Sequence, residues 1–504
     1  MSEDTQQATP IEPIPYDCDD CGSRSSADHT ARASQTLAIP ASALTGFPNG
    51  KSPRDLTRRR LIAEGIAGVA SVYAATRLDW SQVFEAAVAE ADAMQKSLVV
   101  IYLQGGNDGL NVTVPVDTMY TGYQAARSNI ARVVGPSAGG KVGTWAMGGT
   151  GGSLGFANVC VSTAGTGDNG DPTLGFDSLY GDGLGGAGSD LAVFPAADYT
   201  PSNHSHFESA DIWFGGSIQQ EQTGWLGRWL DQYGSQANPL QAVSIDQTLS
   251  KQIRTSTAPV CALQNLRGAR FDVPGIDRQT IDPTAVMSTL AGVPVGAGNT
   301  HLARARGSYA TTVDMANRLA TLTNIAAGAG YPAGSYLSSQ LQTAAVLLGA
   351  GLGTRLVTID WGGFDTHGGQ LASQDPQLKE LSRSMAAFKA DLTARGIEQN
   401  VLTLVFSEFG RRVGSNESGG TDHGAGGMML VSGSAVKGGL AGEFPTLPTT
   451  DLTGSDLTVK TDFRSVYQAI IGQWLGGDPN VILPGGPFAG IQRYDGGTSL
   501  LKAA

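Results

Sequence analysis

At 504 residues, with 41% hydrophobic and 15% charged side chains, the chain has a globular composition and can bury a large core, as one α/β domain with insertions or as two domains. Its net charge of −12, with no basic stripe after the first 76 residues, excludes nucleic acid and anionic lipid surfaces as expected partners. The 69 glycines, about twice the ordinary share, predict long loops. Cys18, Cys21, Cys160 and Cys261 are too few for a disulfide scaffold, and Cys18-Asp-Asp-Cys21 lacks the second ligand pair of a zinc ribbon.

Residues 1–57 are polar, rich in Ser, Thr, Ala and Pro, and without sustained periodicity, the composition of a disordered leader. Arg58-Arg59-Arg60 then precede a short, weakly apolar run from Leu61 to Ala75, which predicts a twin-arginine-type export signal over 58–76. Glu64 interrupts the run and its length is short for a bilayer, so no stable membrane span is expected. An amphipathic helix behind an arginine cap is the competing reading, and the small residues favour the signal. On that reading the twin-arginine export machinery is a partner, and the protein is exported to the periplasm, the cell surface or the medium.

Residues 77–504 read as one α/β domain. Ser97 to Leu103 is a continuous apolar run rich in β-branched residues, as in a buried parallel strand, and it ends in Gln104-Gly-Gly-Asn-Asp-Gly-Leu-Asn111. Glycine, serine, threonine and aspartate dominate 134–190, which is expected to be a large surface insertion, with order returning at Leu191–Phe194. Further strands are expected at Gln241–Ile245, Arg355–Ile359, Val401–Phe406 and Met428–Val431. Helices are expected near Gln219–Tyr233, Leu302–Ala326, Ser335–Leu348, Pro376–Arg395 and Asp462–Leu475. Strands alternating with helices predict a mostly parallel, doubly wound sheet covered on both faces, with ligands beyond the carboxyl ends of its strands.

Acidic and histidine residues gather at those ends. Asp108 follows the first strand; Asp360, Asp365 and His367 follow the Arg355 strand; Glu408 follows the Val401 strand; Asp422 and His423 precede the Met428 strand. Singly, each has an ordinary role as turn residue, cap or ion-pair partner. Together, Asp108, Asp365, His367, Glu408, Asp422 and His423 form a candidate ligand set for one or two divalent ions: zinc, manganese, magnesium or calcium. Ser205, between His204 and His206, lies where a loop runs into a helix, so its hydroxyl is either a nucleophile beside helix N–H groups or an N-cap. No Gly-x-Ser-x-Gly elbow surrounds it. Arg411, Arg412 and Arg464 are candidates for gripping anionic oxygens.

These segments resemble the bacterial family catalogued as domain of unknown function 1501, a relative of the alkaline-phosphatase and sulfatase superfamily. The resemblance is carried by Arg58 to Ala75, Gly105-Gly-Asn-Asp-Gly-Leu-Asn111, Ser205-His-Phe207 with Asp211-Ile-Trp213, and Gly224-Trp-Leu-Gly227. It continues through Gly363-Phe-Asp-Thr-His367, Ser407-Glu-Phe-Gly-Arg411, Gly420-Thr-Asp-His-Gly424 and Thr461-Asp-Phe-Arg-Ser465. It implies an alkaline-phosphatase-like sheet, Asp108 as first metal carboxylate, Ser205 as nucleophile, and Asp365 with His367 as a later ligand pair. Where the superfamily has Asp-His after the next strand, this chain has Ser407-Glu408. Either Asp422-His423 replaces that pair, or, as preferred here, Glu408 stands for its aspartate and His423 for the final histidine. Leu174-Gly-Phe-Asp-Ser178 also lacks the family's Leu-His-Pro histidine.

The expected function is an exported metal-dependent hydrolase of small or polymer-borne phosphate or sulfate esters, with Ser205 attacking in line beside His204 and His206 and Arg411 holding the anion. The alternative is a non-catalytic exported binding or assembly protein that retains the fold. A metal-dependent mutase or lyase is a third reading.

Overall fold

The computed structural model describes residues 95–266 and 330–503, apart from 150–151, 163–174, 187, 237 and 448–453, together with scattered positions between 288 and 328. The expected leader, the 58–76 signal and the Cys18–Cys21 pair lie outside the described residues. So does most of the Leu302–Ala326 helix, of which Leu302, Arg306, Val313, Leu319 and Leu322 are described and helical. Among the described residues no helix is long and apolar enough to cross a membrane.

The strands in chain order are β1 (Ser97–Gln104), β2 (Thr113–Pro115), β3 (Thr144–Ala146), β4 (Leu154–Ala157), β5 (Leu191–Asp198), β6 (Ala242–Ser244), β7 (Cys261–Ala262) and β8 (Leu356–Gly362). They continue with β9 (Val401–Phe406), β10 (Gly410–Arg411), β11 (His423–Gly424), β12 (Gly427–Ser432), β13 (Gly439–Leu440) and β14 (Thr461–Asp462). The helices are α1 (Tyr120–Ala126), α2 (Phe176–Tyr180), α3 (His206–Gly215), α4 (Trp225–Tyr233), α5 (Tyr336–Gly349), α6 (Gln370–Ala394), α7 (Phe463–Ala469) and α8 (Pro479–Ile482).

Nine strands form one sheet in the order β13-β5-β12-β9-β1-β8-β6-β7, with β14 also paired to β5. All its pairings are parallel except those of β12, which runs antiparallel to both β5 and β9. Because β12 is reversed, the residues before it lie at the same edge as the residues after β1, β5, β8 and β9.

β1 shows why a continuous apolar run is needed. Val99, Ile101 and Leu103 enter one core with α5 and α6, while Leu98, Val100 and Tyr102 enter the other with Trp213, Trp225 and α7. A strand covered on both faces has no polar alternation to display. Each fully buried leucine or valine there contributes roughly 1.5–3 kcal/mol. The helix expected from Gln219 begins only at Trp225, with Gly224 as its N-cap. α6 begins at Gln370, earlier than expected, and carries Pro376 inside it.

The stretch 134–190, expected as a surface insertion, is anchored to the core at several of its described residues. Its described residues form β3, β4, a 3-10 turn and α2, with β3 and β4 in a small antiparallel sheet with β2. Phe156, Phe176 and Tyr180 are fully buried in the main core, with Phe156 ring centroids 5.5 and 5.6 Å from the other two. Aromatics spaced among the glycines give the segment an apolar payload, which anchors it.

A candidate metal centre at the carboxyl edge of the sheet

Three loops and one helix start meet beyond the strand ends. After β8 the chain turns through Asp365 and His367; after β9 it passes Ser407 and Glu408; β11 carries His423 ahead of the reversed β12; α3, after β5, opens with His206. Asp365 is the common neighbour. His206 Nε2 lies 3.4 Å from its Oδ2, while His367 Nε2, His423 Nε2 and Arg411 Nη2 lie 3.1, 3.1 and 2.8 Å from its Oδ1. His367 Nε2 is also 2.9 Å from His423 Nε2.

Each imidazole is held by its other nitrogen. Nδ1 of His206 is 2.7 Å from Glu408 Oε1, Nδ1 of His367 is 3.1 Å from Asp422 Oδ1, and Nδ1 of His423 is 2.9 Å from the carbonyl of His204. Every Nε2 is thereby directed toward Asp365. One ligand atom each from His206, Asp365 and His423 lie within 4.8 Å of one another. Bonds of about 2.0–2.2 Å to one ion separate opposite ligand atoms by roughly 4 Å, so this donor set fits a divalent cation. His367 supplies a further imidazole beside it.

The electrostatics are those of one carboxylate shared by several protonatable groups. Burial works to raise the Asp365 pKa, but donation from His206, His367, His423 and Arg411 outweighs it and holds the carboxyl below the usual range. Burial works to lower the His206 pKa, yet Asp365 and Glu408 bring it up to about 9. His367 is raised mainly by Asp365, whereas burial and the neighbouring cations lower His423 despite Asp365. Crowded imidazoles cannot all carry protons, and one cation would replace those protons.

The other expected site residues have different places. Glu408 is fully buried and is no ligand atom in the cluster: Oε1 accepts from Gly105 N–H (2.9 Å) as well as facing His206, and Oε2 accepts from Gly106 N–H (3.2 Å) and lies 3.0 Å from Ser407 Oγ. Gly105 and Gly106 can form this cradle because their φ values are +124° and +75°, and added Cβ atoms would lie 2.3 Å from Asp365 N and 2.2 Å from the Phe409 ring. Asp108 is buried against Arg127, with Gln370 donating to it, in a network apart from the histidines. Asp422 serves as the partner of His367, and Asn416 donates to it.

Arg411 is not placed to grip an anion. Its Nε and Nη1 donate to the carbonyls of Gly106 (2.6 Å) and Thr421 (2.7 Å), and its Nη2 to those of Gly105 and Phe364. Arg412 donates to the Gly454 carbonyl and Arg464 pairs with Asp462. His204 pairs with Asp456 at 3.3 Å. Asp360 is half-buried, and burial, then the Asp246 charge, raises its pKa to about 7.

Ser205 is the N-cap residue of α3, half-buried, and its side chain makes no capping hydrogen bond. His206 was expected as a neighbour of the nucleophile, and the structure places it among the candidate ligands. Its position as first helical residue after a strand of the main sheet is the signal the sequence offers.

A family model described as "Protein of unknown function (DUF1501)" matches residues 215–476, just over half of the chain. The matched part contains Asp365, His367, Glu408 and His423; His206 precedes it. No curated protein matches. Among solved structures, a mutant of TAB5 alkaline phosphatase with Mg bound in its M3 site is similar at 8% identity and a TM-score of 0.28. That match covers 69% of this chain and 94% of the other, and a likeness so distant carries no argument about chemistry.

Proposed function

We propose, for a chain that belongs to the DUF1501 family of proteins of unknown function, that it is an exported metal-dependent hydrolase of phosphate or sulfate esters. The observation that carries the reading is the convergence of three anchored imidazoles on the half-exposed carboxylate of Asp365. His206, Asp365 and His423 would hold the divalent ion, with His367 beside it. Such an ion supplies Lewis acidity and lowers the pKa of an oxygen bound to it.

The chain's own groups divide the remaining work. Ser205 presents a hydroxyl at the start of α3, one residue before His206, where helix N–H groups favour a developing anion. Arg411 fixes Asp365 by joining the loops after β1 and β8, so it positions the site rather than touching substrate. His367 stands between Asp365 and Asp422 beside the mouth of the site, and Asp365 raises its pKa.

A second reading has its own support. Asp108 and Arg411, which would hold a second ion and grip an anion, are both engaged elsewhere, and this favours a binding or assembly protein that keeps one cation without turnover. The test is elemental analysis of purified protein, with assays on aryl phosphate and aryl sulfate under zinc, manganese, magnesium and calcium. Metal at one equivalent with turnover supports the hydrolase. Metal without turnover on either ester selects the binding protein, and absence of metal after loading removes both.

A further inference from the structure

The geometry points to Glu408 as the positioning residue of the candidate metal centre: its buried carboxylate, seated on the Gly105 and Gly106 amides, fixes His206 with its Nε2 lone pair toward Asp365. This inference rests on the cation reading of the cluster.

A neutral imidazole exists as two tautomers, and only the one protonated on Nδ1 offers Nε2 to a metal. Glu408 selects that form, because Oε1 stands 2.7 Å from His206 Nδ1 and a carboxylate can only accept. Its remaining acceptor capacity is taken by Gly105 N–H, Gly106 N–H and Ser407, so the carboxylate has neither freedom to turn nor a vacant position for a ligand of its own. The same residue holds the helix that carries His206: Ser209 Oγ, one turn along α3, donates to the Glu408 carbonyl and lies 3.0 Å from Tyr199 Oη.

The three anchors of the cluster are unequal. Glu408 is 0% exposed, whereas Asp422, which holds His367, is 53% exposed. A charge-assisted hydrogen bond is stronger away from water, so Glu408 governs its imidazole more firmly than Asp422 does. Carboxylate partners of metal-bound histidines commonly contribute about 10–100-fold in metal affinity, and that range sets the scale expected here.

The test uses full-length protein loaded with zinc. Glu408→Gln is expected to weaken zinc about 10–100-fold by chelator competition and to remove the exchange-protected His206 Nδ1–H resonance from the 15N-edited spectrum. Asp422→Asn should weaken zinc less and keep the His206 resonance. A Gln amide opposes the Gly106 N–H and can cost the fold, so the wild-type spectrum is a second measurement: zinc bound through His206 Nδ1, or no protected Nδ1–H, overturns the inference by itself. Zinc affinity unchanged in a folded Glu408→Gln protein also overturns it while leaving the metal centre intact. Wild-type protein that takes up no zinc overturns the centre and, with it, this role.

Discussion

Two carboxylates at the same edge of the sheet meet opposite surroundings. Asp108, after β1, is 1% exposed and faces Arg127, whose guanidinium also donates to the carbonyls of Val413 and Arg412. Asp365, after β8, is 47% exposed and faces three imidazoles as well as the Arg411 guanidinium. A guanidinium keeps its charge at every ordinary pH and has no lone pair to give a metal, so the first carboxylate is locked into the scaffold. Imidazoles can lose their protons and turn into ligands, so the second is open to exchange. Both aspartates meet a guanidinium, and what separates them is the exposure of Asp365 and the imidazoles gathered on it.

The largest effect should come from disturbing the locked region. Arg127→Met leaves Asp108 buried without its cation and is expected to cost about 3–5 kcal/mol in urea unfolding, with metal content per folded molecule unchanged. A cost under about 1 kcal/mol would mean that Asp108 is as solvent-screened as a surface carboxylate.

The open region should respond the other way round. Asp365→Asn is expected to lose metal through dialysis while costing less metal-free stability than Arg127→Met, since Asp365 is itself 47% exposed and the buried Arg411 keeps its backbone carbonyl partners. Full metal retention by that variant would show that Asp365 is not a ligand.

Proton competition sharpens the contrast further. His206 holds its proton up to about 9, and a metal must displace that proton, so affinity should rise as pH is raised toward 9 and fall as it is lowered. In metal-free protein the sign is opposite: the stability from protonated His206 is fully present below its ordinary value near 6.5 and is lost as pH climbs through about 9. Chelator competition and thermal melts at pH 6, 7, 8 and 9 read both trends, and parallel slopes would remove His206 from the site.

Ser205→Ala is expected to have the smallest effect on stability, below the roughly 1 kcal/mol of a working N-cap, because the hydroxyl makes no capping bond. If Ser205 is the nucleophile, the same change abolishes ester hydrolysis. Melting curves and initial rates on one preparation separate the two consequences.

Much of this organisation is written locally. The apolar runs at 97–103, 355–359, 401–406 and 428–431 each overlap an observed strand of the sheet, because a strand buried on both faces must be apolar throughout. Ser205 at a helix start and Asp365, His367, Glu408 and His423 at one sheet edge follow from the same pattern. What no local pattern carries is the pairing of those residues. His206 and Glu408 are 202 residues apart, and Arg127 reaches Asp108 as readily in sequence terms as any histidine could. The reversed direction of β12 brings His423 to the carboxyl edge, and buried Phe156, Phe176 and Tyr180 draw a glycine-rich segment into the core. A carboxylate's role as ligand, anchor or ion-pair partner depends on which donor stands within about 3 Å of it, and only the packed chain sets that distance.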